Sequence, residues 1–416
     1  MTTAGADFFW RDLPQVSGRV ENPGLRQPIS LIVDDPNPGY NPAYFHLGFR
    51  HGPMRVPRAL IDEVADLVET SGIRGKFSVI PNPFGLGRID RSVQGLTDAD
   101  VAYFLDVVRA RIAPALDVTP EALTHWNAID LATGCLLPFW EHIWSRGQDR
   151  RTLRPYLSRA LEILNAVDLP SGGMTSPWDF GAGVEDEYAE ALLSAQRQVN
   201  ARSLTWYFLQ ADGASLHVPP RLRVFRPESG EAVVSIVCCD TQDFGYGVWT
   251  GGTPDPDALI SADGRHGRLA QVLTAGGPAA FHTHWQTLFG QGTHSGLRAL
   301  GTVVQRLDTY FGDRIVWTRC SDVACYAAAA AAVRVMERTA GDGILALDIA
   351  APFPCEHFTL SVATPAPPRA VRIDAVPLDR VGRAADLRDG SYVVIDGRLY
   401  LCWSLRDGQR ITIESA

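Results

Sequence analysis

Short apolar runs alternate with amphipathic helical segments over most of the chain. The first run covers about residues 29–34, and a loop over 36–57 that carries His46 and His51 separates it from the first helical pattern. This alternation recurs about eight times, which predicts parallel βα units. Because long loops inside a compact domain are usually functional, the loop after the first strand is a candidate part of a site.

Polar residues follow almost every predicted strand of this region, and they favour one of two α/β architectures. In a (β/α) barrel the loops after all strands meet at one rim, whereas an open doubly wound sheet uses mainly the loops at its switch point. We therefore predict a (β/α)7–8 barrel over residues 28–338, with the open sheet as the alternative.

The pattern changes after about residue 340. Short predicted strands follow one another without helical segments, and Asp396-Gly397 between two of them is a two-residue hairpin signal. We predict a small all-β sandwich domain over residues 340–416. Residues 1–27 show no periodic pattern and are predicted to be an irregular lead-in segment.

The polar residues at the strand ends are the candidate site. The apolar run 31–33 leads into Asp34 and Asp35, and Pro36 then stops the strand. Adjacent buried acids need a cation, a proton or hydrogen bonds to compensate them, whereas a solvated turn would need none. The later strand ends add Asn82, His125, Asn127, Asp179, Asp240, Asp243, His282 and His284.

Imidazole nitrogens and carboxylate oxygens together suit a divalent transition metal. We expect Zn²⁺, with Mn²⁺, Co²⁺, Ni²⁺ or Fe²⁺ as alternatives, to be held by side chains from this set. His282 and His284 alternate along one predicted strand, so both imidazoles could face one barrel mouth. One would bind the metal and the other would act as an acid, unless either is an ordinary hydrogen-bonded core histidine.

Aromatic residues lie at or near the same strand ends. Rings mixed with acids form a natural wall for the C–H faces and hydroxyl groups of a sugar, although the same rings could simply cap the core. The candidates for substrate binding are Trp126, Trp178, Trp206 and Trp285.

Composition narrows the class of protein further. The formal charge of −9 and the lack of a Lys/Arg run argue against nucleic-acid binding. No window of ~18 apolar residues predicts a membrane span. The N-terminus lacks an apolar signal region, and the seven cysteines form no Cys-x-x-Cys pair, so we expect a cytoplasmic protein with reduced thiols. No nucleotide-binding glycine loop occurs, and homo-oligomer formation is left open.

Five motifs resemble, in order and spacing, those of the polysaccharide deacetylase superfamily over roughly residues 28–330. They are Ile32-Val33-Asp34-Asp35, Gly75–Pro81, Thr124-His125-Trp126, Thr175–Gly181 and Phe281–His284. The resemblance implies a distorted (β/α) barrel that removes N- or O-acyl groups from sugars with a divalent metal. It also implies that Asp34 is the base, that Asp35 and His125 are metal ligands, and that His282 or His284 is the acid.

The sequence departs from this superfamily at two positions. The second metal-binding His, expected four residues after His125, is replaced by Ile129. The Arg that would orient the base is replaced by Thr175.

We therefore predict a metal-dependent hydrolase of a carbohydrate or sugar conjugate. In the deacetylase-like form, Asp35, His125 and His284 hold the metal, Asp34 takes a proton from water, and His282 donates one to the leaving group. These residues come from separate predicted strand ends.

Two alternatives remain at this stage. The chain is also similar to metal-dependent α-mannosidases and related glycosidases, in which case Asp34, Asp179, Asp240 and Asp243 supply the catalytic carboxylates. The other alternative is a carbohydrate-binding protein that has lost its catalytic activity.

Overall fold

The computed structural model describes residues 11–39, 56–245, 252–340, 344–364 and 366–415. These parts of the chain form a mixed α/β structure with 22 strands and nine α-helices. No helix among them is long and apolar enough to cross a membrane. Most of the loop over 36–57, including His46 and His51, lies outside the described residues.

The strands are β1 Arg11–Leu13, β2 Gly18–Val20, β3 Gln27–Asp34, β4 Gly75–Val79, β5 Leu116–Pro120, β6 Asn127–Ile129, β7 Leu136–Trp140, β8 Gly173–Thr175, β9 Leu204–Ala211, β10 Arg221–Arg226, β11 Glu231–Cys238, β12 Ala279–His284, β13 Ile315–Trp317, β14 Arg334–Ala340, β15 Ile344–Ala350, β16 Cys355–Ala363, β17 Pro368–Ile373, β18 Val376–Pro377, β19 Asp379–Arg380, β20 Ser391–Ile395, β21 Arg398–Leu405 and β22 Arg410–Ser415. The helices are α1 Arg58–Ser71, α2 Asp98–Val107, α3 Glu141–Ser145, α4 Arg150–Ala166, α5 Glu185–Asn200, α6 Arg268–Thr274, α7 Trp285–Phe289, α8 Ser295–Phe311 and α9 Cys320–Ala332.

Two sheets of mainly parallel strands carry the βα part of the chain. One has the order β12-β3-β4-β5, with β13 also paired to β3, and the other has the order β10-β11-β9-β8. Only β10 runs antiparallel to its neighbour. The sheets adjoin at two places: a parallel bridge joins Glu121 after β5 to Thr175 of β8, and Cys239 N after β11 donates to Ala280 O of β12 at 2.7 Å. The carboxyl ends of the parallel strands therefore face one common region.

The helices cover these sheets because their apolar residues recur at helical spacing on one face. In α1 the buried residues include Leu60, Ile61, Val64 and Val68, and Gly72 follows the helix in the left-handed conformation that commonly ends helices. These side chains join the largest hydrophobic cluster together with alternate strand residues. The apolar face of α1 and the apolar side chains of the sheet thus shield each other from water.

The last part of the chain forms two further, mainly antiparallel sheets. Their orders are β1-β2-β16-β21-β20-β19 and β14-β15-β22-β17-β18, and both contribute to a second hydrophobic cluster with the Ala-rich helix α9. The segment predicted to be an irregular lead-in contains β1 and β2, and Val20 pairs with Leu360 of β16. The predicted domain boundaries at 28, 338 and 340 remain predictions.

Three local predictions differ from the structure near the candidate site. The third parallel strand, predicted to end at 123–127, is β5 and ends at Pro120, which places His125 in the loop after it. The sequence predicts a helix over about 137–146, but only Glu141–Ser145 are helical, and Leu136–Trp140 form β7 of a hairpin with β6. Pro138 lacks an amide hydrogen and disfavours a helix interior. Between residues 209 and 233 the sequence predicts only a polar segment with Pro219-Pro220, whereas the structure has the edge strand β10 there.

Substitution of Gly75 by Ala should disrupt the pairing of β3 and β4. Gly75 has φ of +155°, and a Cβ atom there would lie 1.8 Å from the carbonyl oxygen of Leu31. Because the clash is with backbone, it can be relieved only by separating the strands. We expect the free energy of unfolding to fall by about 3 kcal/mol in urea titrations.

Gly147→Ala is the matched control, since a Cβ atom at Gly147 meets nothing within 4 Å. Its free energy of unfolding should stay within about 0.5 kcal/mol of that of the parent. Equal stability of the Gly75→Ala variant and this control would contradict the packing described for β3 and β4.

Candidate functional site

A cavity of about 590 Å³ opens at the carboxyl ends of the parallel strands. It brings together residues that are far apart in the sequence and that follow five of the strands. Its lining consists of Asp34, Asp35, Glu121, His125, Trp178, Phe208, Leu209, Ala211, Thr241, Gln242, Asp243, His282, His284 and Gln286. Of the residues predicted as candidate site residues, the cavity includes Asp34, Asp35, His125, Trp178, Asp243, His282 and His284.

A buried ion pair lies at the base of this cavity. The ammonium group of Lys76 contacts Asp34 Oδ1 and lies 2.7 Å from both Ser78 Oγ and Thr175 Oγ1. Each of its three N–H groups therefore has an acceptor, which is what a fully buried lysine requires. Ser78 Oγ also donates to Asp34 Oδ1 at 3.2 Å. These contacts fix the Asp34 carboxylate and compensate its charge.

Sequence reasoning overlooked Lys76, although a signal was present. Lys76 is the only lysine of the chain and begins an apolar run, where a charged residue is costly. The position at which the resemblance implied an orienting Arg is Thr175, and Thr175 accepts a hydrogen bond from Lys76. The cation beside Asp34 thus comes from β4 rather than from β8.

The second acid of the pair, Asp35, belongs to a different group. Asp35 Oδ1 lies 2.6 Å from His125 Nε2, and Glu121 Oε1 lies 3.4 Å from the same nitrogen. Glu121 Oε2 accepts a hydrogen bond from the backbone N–H of Asp35 at 2.8 Å, and Gln286 Nε2 donates to Asp35 Oδ2. The side chains of Asp35, Glu121 and His125 are all buried. The two carboxyl groups therefore contact the same imidazole in a place largely shielded from solvent.

This sharing changes the protonation of the group. Burial lowers the pKa of His125, but the charges of Asp35 and Glu121 outweigh burial and raise it to about 10. Burial and the charge of Asp35 raise the pKa of Glu121 well above its usual value. The group therefore favours a bound positive charge, which either a proton or a metal ion could supply.

The loop that presents His125 is held by a buried glutamate that sequence reasoning did not single out. Glu141, at the start of α3, accepts hydrogen bonds from the backbone N–H groups of Leu123, Thr124 and His125 at 2.9–3.0 Å. Tyr156 Oη donates to the same carboxylate at 2.6 Å. His125 has φ of +51°, a left-handed conformation that is unfavourable for this residue type and that these hydrogen bonds hold in place.

Two His–Asp pairs from β12 and the loop after β11 line another side of the cavity. His284 Nδ1 lies 2.9 Å from Asp243 Oδ2, and the backbone N–H of His284 donates to that oxygen at 2.8 Å. His282 Nδ1 lies 3.1 Å from Asp240 Oδ1. Both histidines lie on β12 itself and alternate along it as predicted.

The carboxylates control the charge of these histidines. Burial lowers the pKa of His284, but the hydrogen bond to Asp243 and the charges of Asp35, Asp243 and Asp34 raise it to about 9. Burial likewise opposes ionisation of His282, and Asp240 raises its pKa above the usual value. The pKa of about 9 lets His284 carry a proton at neutral pH, and Asp240 shifts His282 in the same direction.

The other predicted site residues are distributed between the rim and the core. Trp178 lines the cavity, and Trp126 packs against Trp140 at the rim with ring centroids 5.2 Å apart. Trp206 and Trp285 are almost fully buried, and both belong to hydrophobic clusters.

The two remaining predicted carboxylates are also separated from each other. Asp179 is half-exposed and pairs with Arg146 at 2.6 Å, so the structure does not bring it into the cavity lining. Asp240 is buried behind His282.

Three groups of side chains in the described part of the chain have the composition and spacing to hold a metal ion. They are Asp35–Glu121–His125, Cys238–Asp240–His282 and His357–Asp389–Cys402, and in each group the ligand atoms lie within 4.8 Å of one another. The first group fits a catalytic metal best, because it offers one imidazole and two carboxylates and borders an open cavity.

No protein-family model matches the sequence, and no curated protein is significantly similar to it. Among solved structures, a probable polysaccharide deacetylase from Pseudomonas aeruginosa PAO1 is 12% identical with a TM-score of 0.44, over 73% of this chain and 92% of that chain. PuuE allantoinase is 13% identical with a TM-score of 0.44, over 73% of this chain and 91% of that chain.

The Xyl-CE4 domain of a multidomain xylanase from the hindgut metagenome of Trinervitermes trinervoides is 9% identical with a TM-score of 0.31, over 72% of this chain and 89% of that chain. Structures of the polysaccharide deacetylase class are thus among those to which this chain is similar. At these identities and TM-scores, the function has to be argued from the geometry of the site.

Removal of the buried ammonium group should destabilise the protein. In a Lys76→Met variant, Asp34 keeps its buried charge but loses its cation, and we expect the free energy of unfolding to fall by about 3–5 kcal/mol. A double variant, Asp34→Asn with Lys76→Met, removes both charges and should recover most of that loss. Urea unfolding of both variants and of Asp34→Asn completes the double-mutant cycle. Strictly additive effects would show that the two side chains do not interact.

Proposed function

We propose that this protein is a metal-dependent hydrolase that removes an acyl group from a carbohydrate or sugar conjugate. The observation that carries the proposal is the position of Asp35, Glu121 and His125 in one cavity with the Lys76-bound carboxylate of Asp34. A potential metal site and a fixed base thus lie side by side. In this proposal the eight parallel strands close into one (β/α) barrel, and the antiparallel sheets form an appended β-sandwich.

The proposed ligands are Asp35, Glu121 and His125. Sequence reasoning expected a second ligand four residues after His125, where Ile129 stands, and added His284 to complete the set. Glu121 lies four residues before His125 and contacts it, so the same spacing occurs in the opposite direction. His284 Nδ1 faces Asp243 instead, which supports a different role for His284.

The chemistry that a divalent metal supplies at such a site is activation of water and polarisation of a carbonyl group. Asp34 is the proposed base, because Lys76 and Ser78 hold its carboxyl group in place at the cavity wall. His284 is the proposed acid, since its raised pKa keeps a proton available for the leaving group. Asp243 positions His284 and accepts a further hydrogen bond from Thr287 Oγ1 at 2.7 Å.

Substrate binding is proposed at the rim of the cavity. Trp178 lines the cavity with half of its surface exposed, and it lies in a cluster of rings that includes Trp140 and Trp126. Exposed aromatic faces beside hydrogen-bonding groups favour a sugar ring over a purely apolar ligand.

The glycosidase alternative requires two carboxylates on either side of a glycosidic bond. Asp34 is bound to Lys76, Asp179 is bound to Arg146 away from the cavity lining, and Asp240 is buried beside His282. This arrangement supports acyl transfer better than glycoside cleavage. The inactive carbohydrate-binding alternative predicts sugar binding without metal or turnover.

Substitution of Glu121 by Ala should remove both the metal and the activity. By inductively coupled plasma mass spectrometry, Glu121→Ala should contain about one equivalent less metal than the parent protein. In Glu121→Ala, loss of one of three ligands should lower metal affinity and acetate release from an acetylated sugar by roughly 100-fold or more.

Asp179→Asn is the matched control and should retain metal and activity, because Asp179 pairs with Arg146 outside the cavity lining. A parent protein that binds no metal and releases no acetate would support the inactive alternative. Cleavage of a chromogenic glycoside without acetate release would instead support the glycosidase.

The identity of the acid can be tested through the pH profile. His284 donates its proton only while protonated, so kcat/KM should fall about tenfold per pH unit above its pKa. Asp243→Asn removes the charge that raises this pKa, which is about 9, and the alkaline limb should move about one unit toward lower pH. Asp240→Asn should leave that limb in place. If Asp240→Asn moves the limb and Asp243→Asn does not, then His282 is the acid, as the sequence predicted.

A further inference from the structure

A second cluster of metal-binding side chains lies in the antiparallel sheets, away from the cavity described above. His357 belongs to β16, Asp389 precedes β20, and Cys402 belongs to β21. The three residues are brought together only by folding. None of them takes part in the proposed hydrolase chemistry.

An irregularity in β16 aims the His357 side chain at this cluster. The pairing of β16 with β21 shifts register between Cys355 and Phe358, which is a β-bulge. Within it His357 has φ of +54°, in the left-handed region that is unfavourable for residues other than glycine. Bulges redirect side chains, and strained backbone persists where surrounding contacts fix it.

Asp389 connects the other two side chains. Its Oδ1 accepts a hydrogen bond from the backbone N–H of His357 at 3.0 Å and lies 3.7 Å from Cys402 Sγ. Its Oδ2 lies 3.3 Å from His357 Nδ1 and accepts a hydrogen bond from Ser404 Oγ at 3.2 Å. The carboxylate therefore stands between an imidazole nitrogen and a sulfur atom.

These separations match those between neighbouring ligands of a tetrahedral metal. With Zn–S of about 2.3 Å and Zn–N or Zn–O of about 2.0–2.2 Å, tetrahedral angles place ligand atoms roughly 3.3–3.7 Å apart. The closest ligand atoms of the three residues all lie within 4.8 Å of one another. Only small side-chain adjustments would be needed to direct them at one point.

We propose that His357, Asp389 and Cys402 form a second divalent metal site that takes Zn²⁺ or a similar thiophilic ion. On binding, the Cys402 thiol loses its proton to solvent and the thiolate becomes a ligand. The neighbouring Glu356, whose carboxylate contacts Ser404 Oγ, can supply a fourth ligand. The ion ties the bulge of β16 and the turn before β20 to β21.

Access to this site exists in the structure. Glu356 and His357 line a cavity of about 560 Å³ that is also lined by Trp317, Asp322 and Arg406, and Arg406 pairs with Glu356 at 2.7 Å. His357 is exposed, whereas Cys402 is buried beneath it. The imidazole of His357 is therefore the ligand that an ion from solvent would meet first.

Cobalt provides a test that separates this site from the proposed catalytic one. The full chain is freed of metal with a chelator and titrated with Co²⁺ alone. Thiolate ligation gives a sulfur-to-cobalt charge-transfer band in the near ultraviolet, and the Asp35–Glu121–His125 group contains no sulfur. We expect this band to saturate at about one equivalent per chain.

The variants assign the band to particular residues. Cys402→Ser should abolish it, and Asp389→Asn and His357→Ala, which keep the thiol, should weaken Co²⁺ binding at this site at least tenfold. Cys238→Ser, Cys135→Ser and Glu121→Ala should retain the band, which controls for the other cysteine-containing group, for an exposed thiol and for the proposed catalytic site.

Two outcomes would overturn the proposal. One is the absence of the band in the parent protein, which would leave the cluster as a hydrogen-bonded network. The other is a band that persists in both Asp389→Asn and His357→Ala with unchanged affinity. Since His357 is exposed, its variant is expected to fold even if Cys402→Ser does not. Failure of the acetate-release assay would not affect this result, because the charge-transfer band needs no enzymatic activity.

Discussion

The ion pair between Lys76 and Asp34 is the constraint on which the rest of the cavity depends. A lysine with no exposed surface costs several kcal/mol of desolvation unless its charge and all three N–H groups are satisfied. Asp34, Ser78 and Thr175 satisfy them, and they come from three different strands. The pair therefore requires β3, β4 and β8 to keep one relative position. Apolar residues could fill the same volume at lower cost, so the arrangement is better explained by the need for a fixed, ionised carboxylate.

Neighbouring acids at the end of β3 acquire different properties because their partners differ. Asp34 faces a permanent cation, whereas Asp35 faces an imidazole that it shares with Glu121. Lys76 balances the charge of Asp34 within the protein. The group of Asp35, Glu121 and His125 favours an added positive charge. In the proposed mechanism this contrast separates the base, Asp34, from the metal ligand, Asp35, although the two residues are adjacent in sequence. Glu141 also contributes to this site, because its carboxylate accepts a hydrogen bond from the backbone N–H of His125 and so holds the loop that carries this residue.

The antiparallel sheets also bring together side chains of the types that bind metal ions, but by a different structural feature. In the parallel part, loops after strands bring acids and imidazoles together, whereas in the antiparallel part a bulge turns His357 toward Asp389 and Cys402. The sulfur ligand makes the second group more suitable for a tightly held ion. The first group, with oxygen and nitrogen donors beside a cavity, suits a metal that leaves room for substrate.

The sequence by itself determined the features that depend on local pattern. Apolar runs followed by turn residues located β3 and β12, and alternation along β12 placed His282 and His284 on one face, because side-chain direction in a strand has a period of two. Tertiary structure alone decided which polar groups meet. The roles of Lys76, Glu121 and Glu141 depend on contacts between residues up to 99 positions apart, as in the pair Lys76–Thr175. The local periodicity of a sequence does not show which distant residues will meet. Once these polar groups are buried away from water, they must form hydrogen bonds or ion pairs with one another.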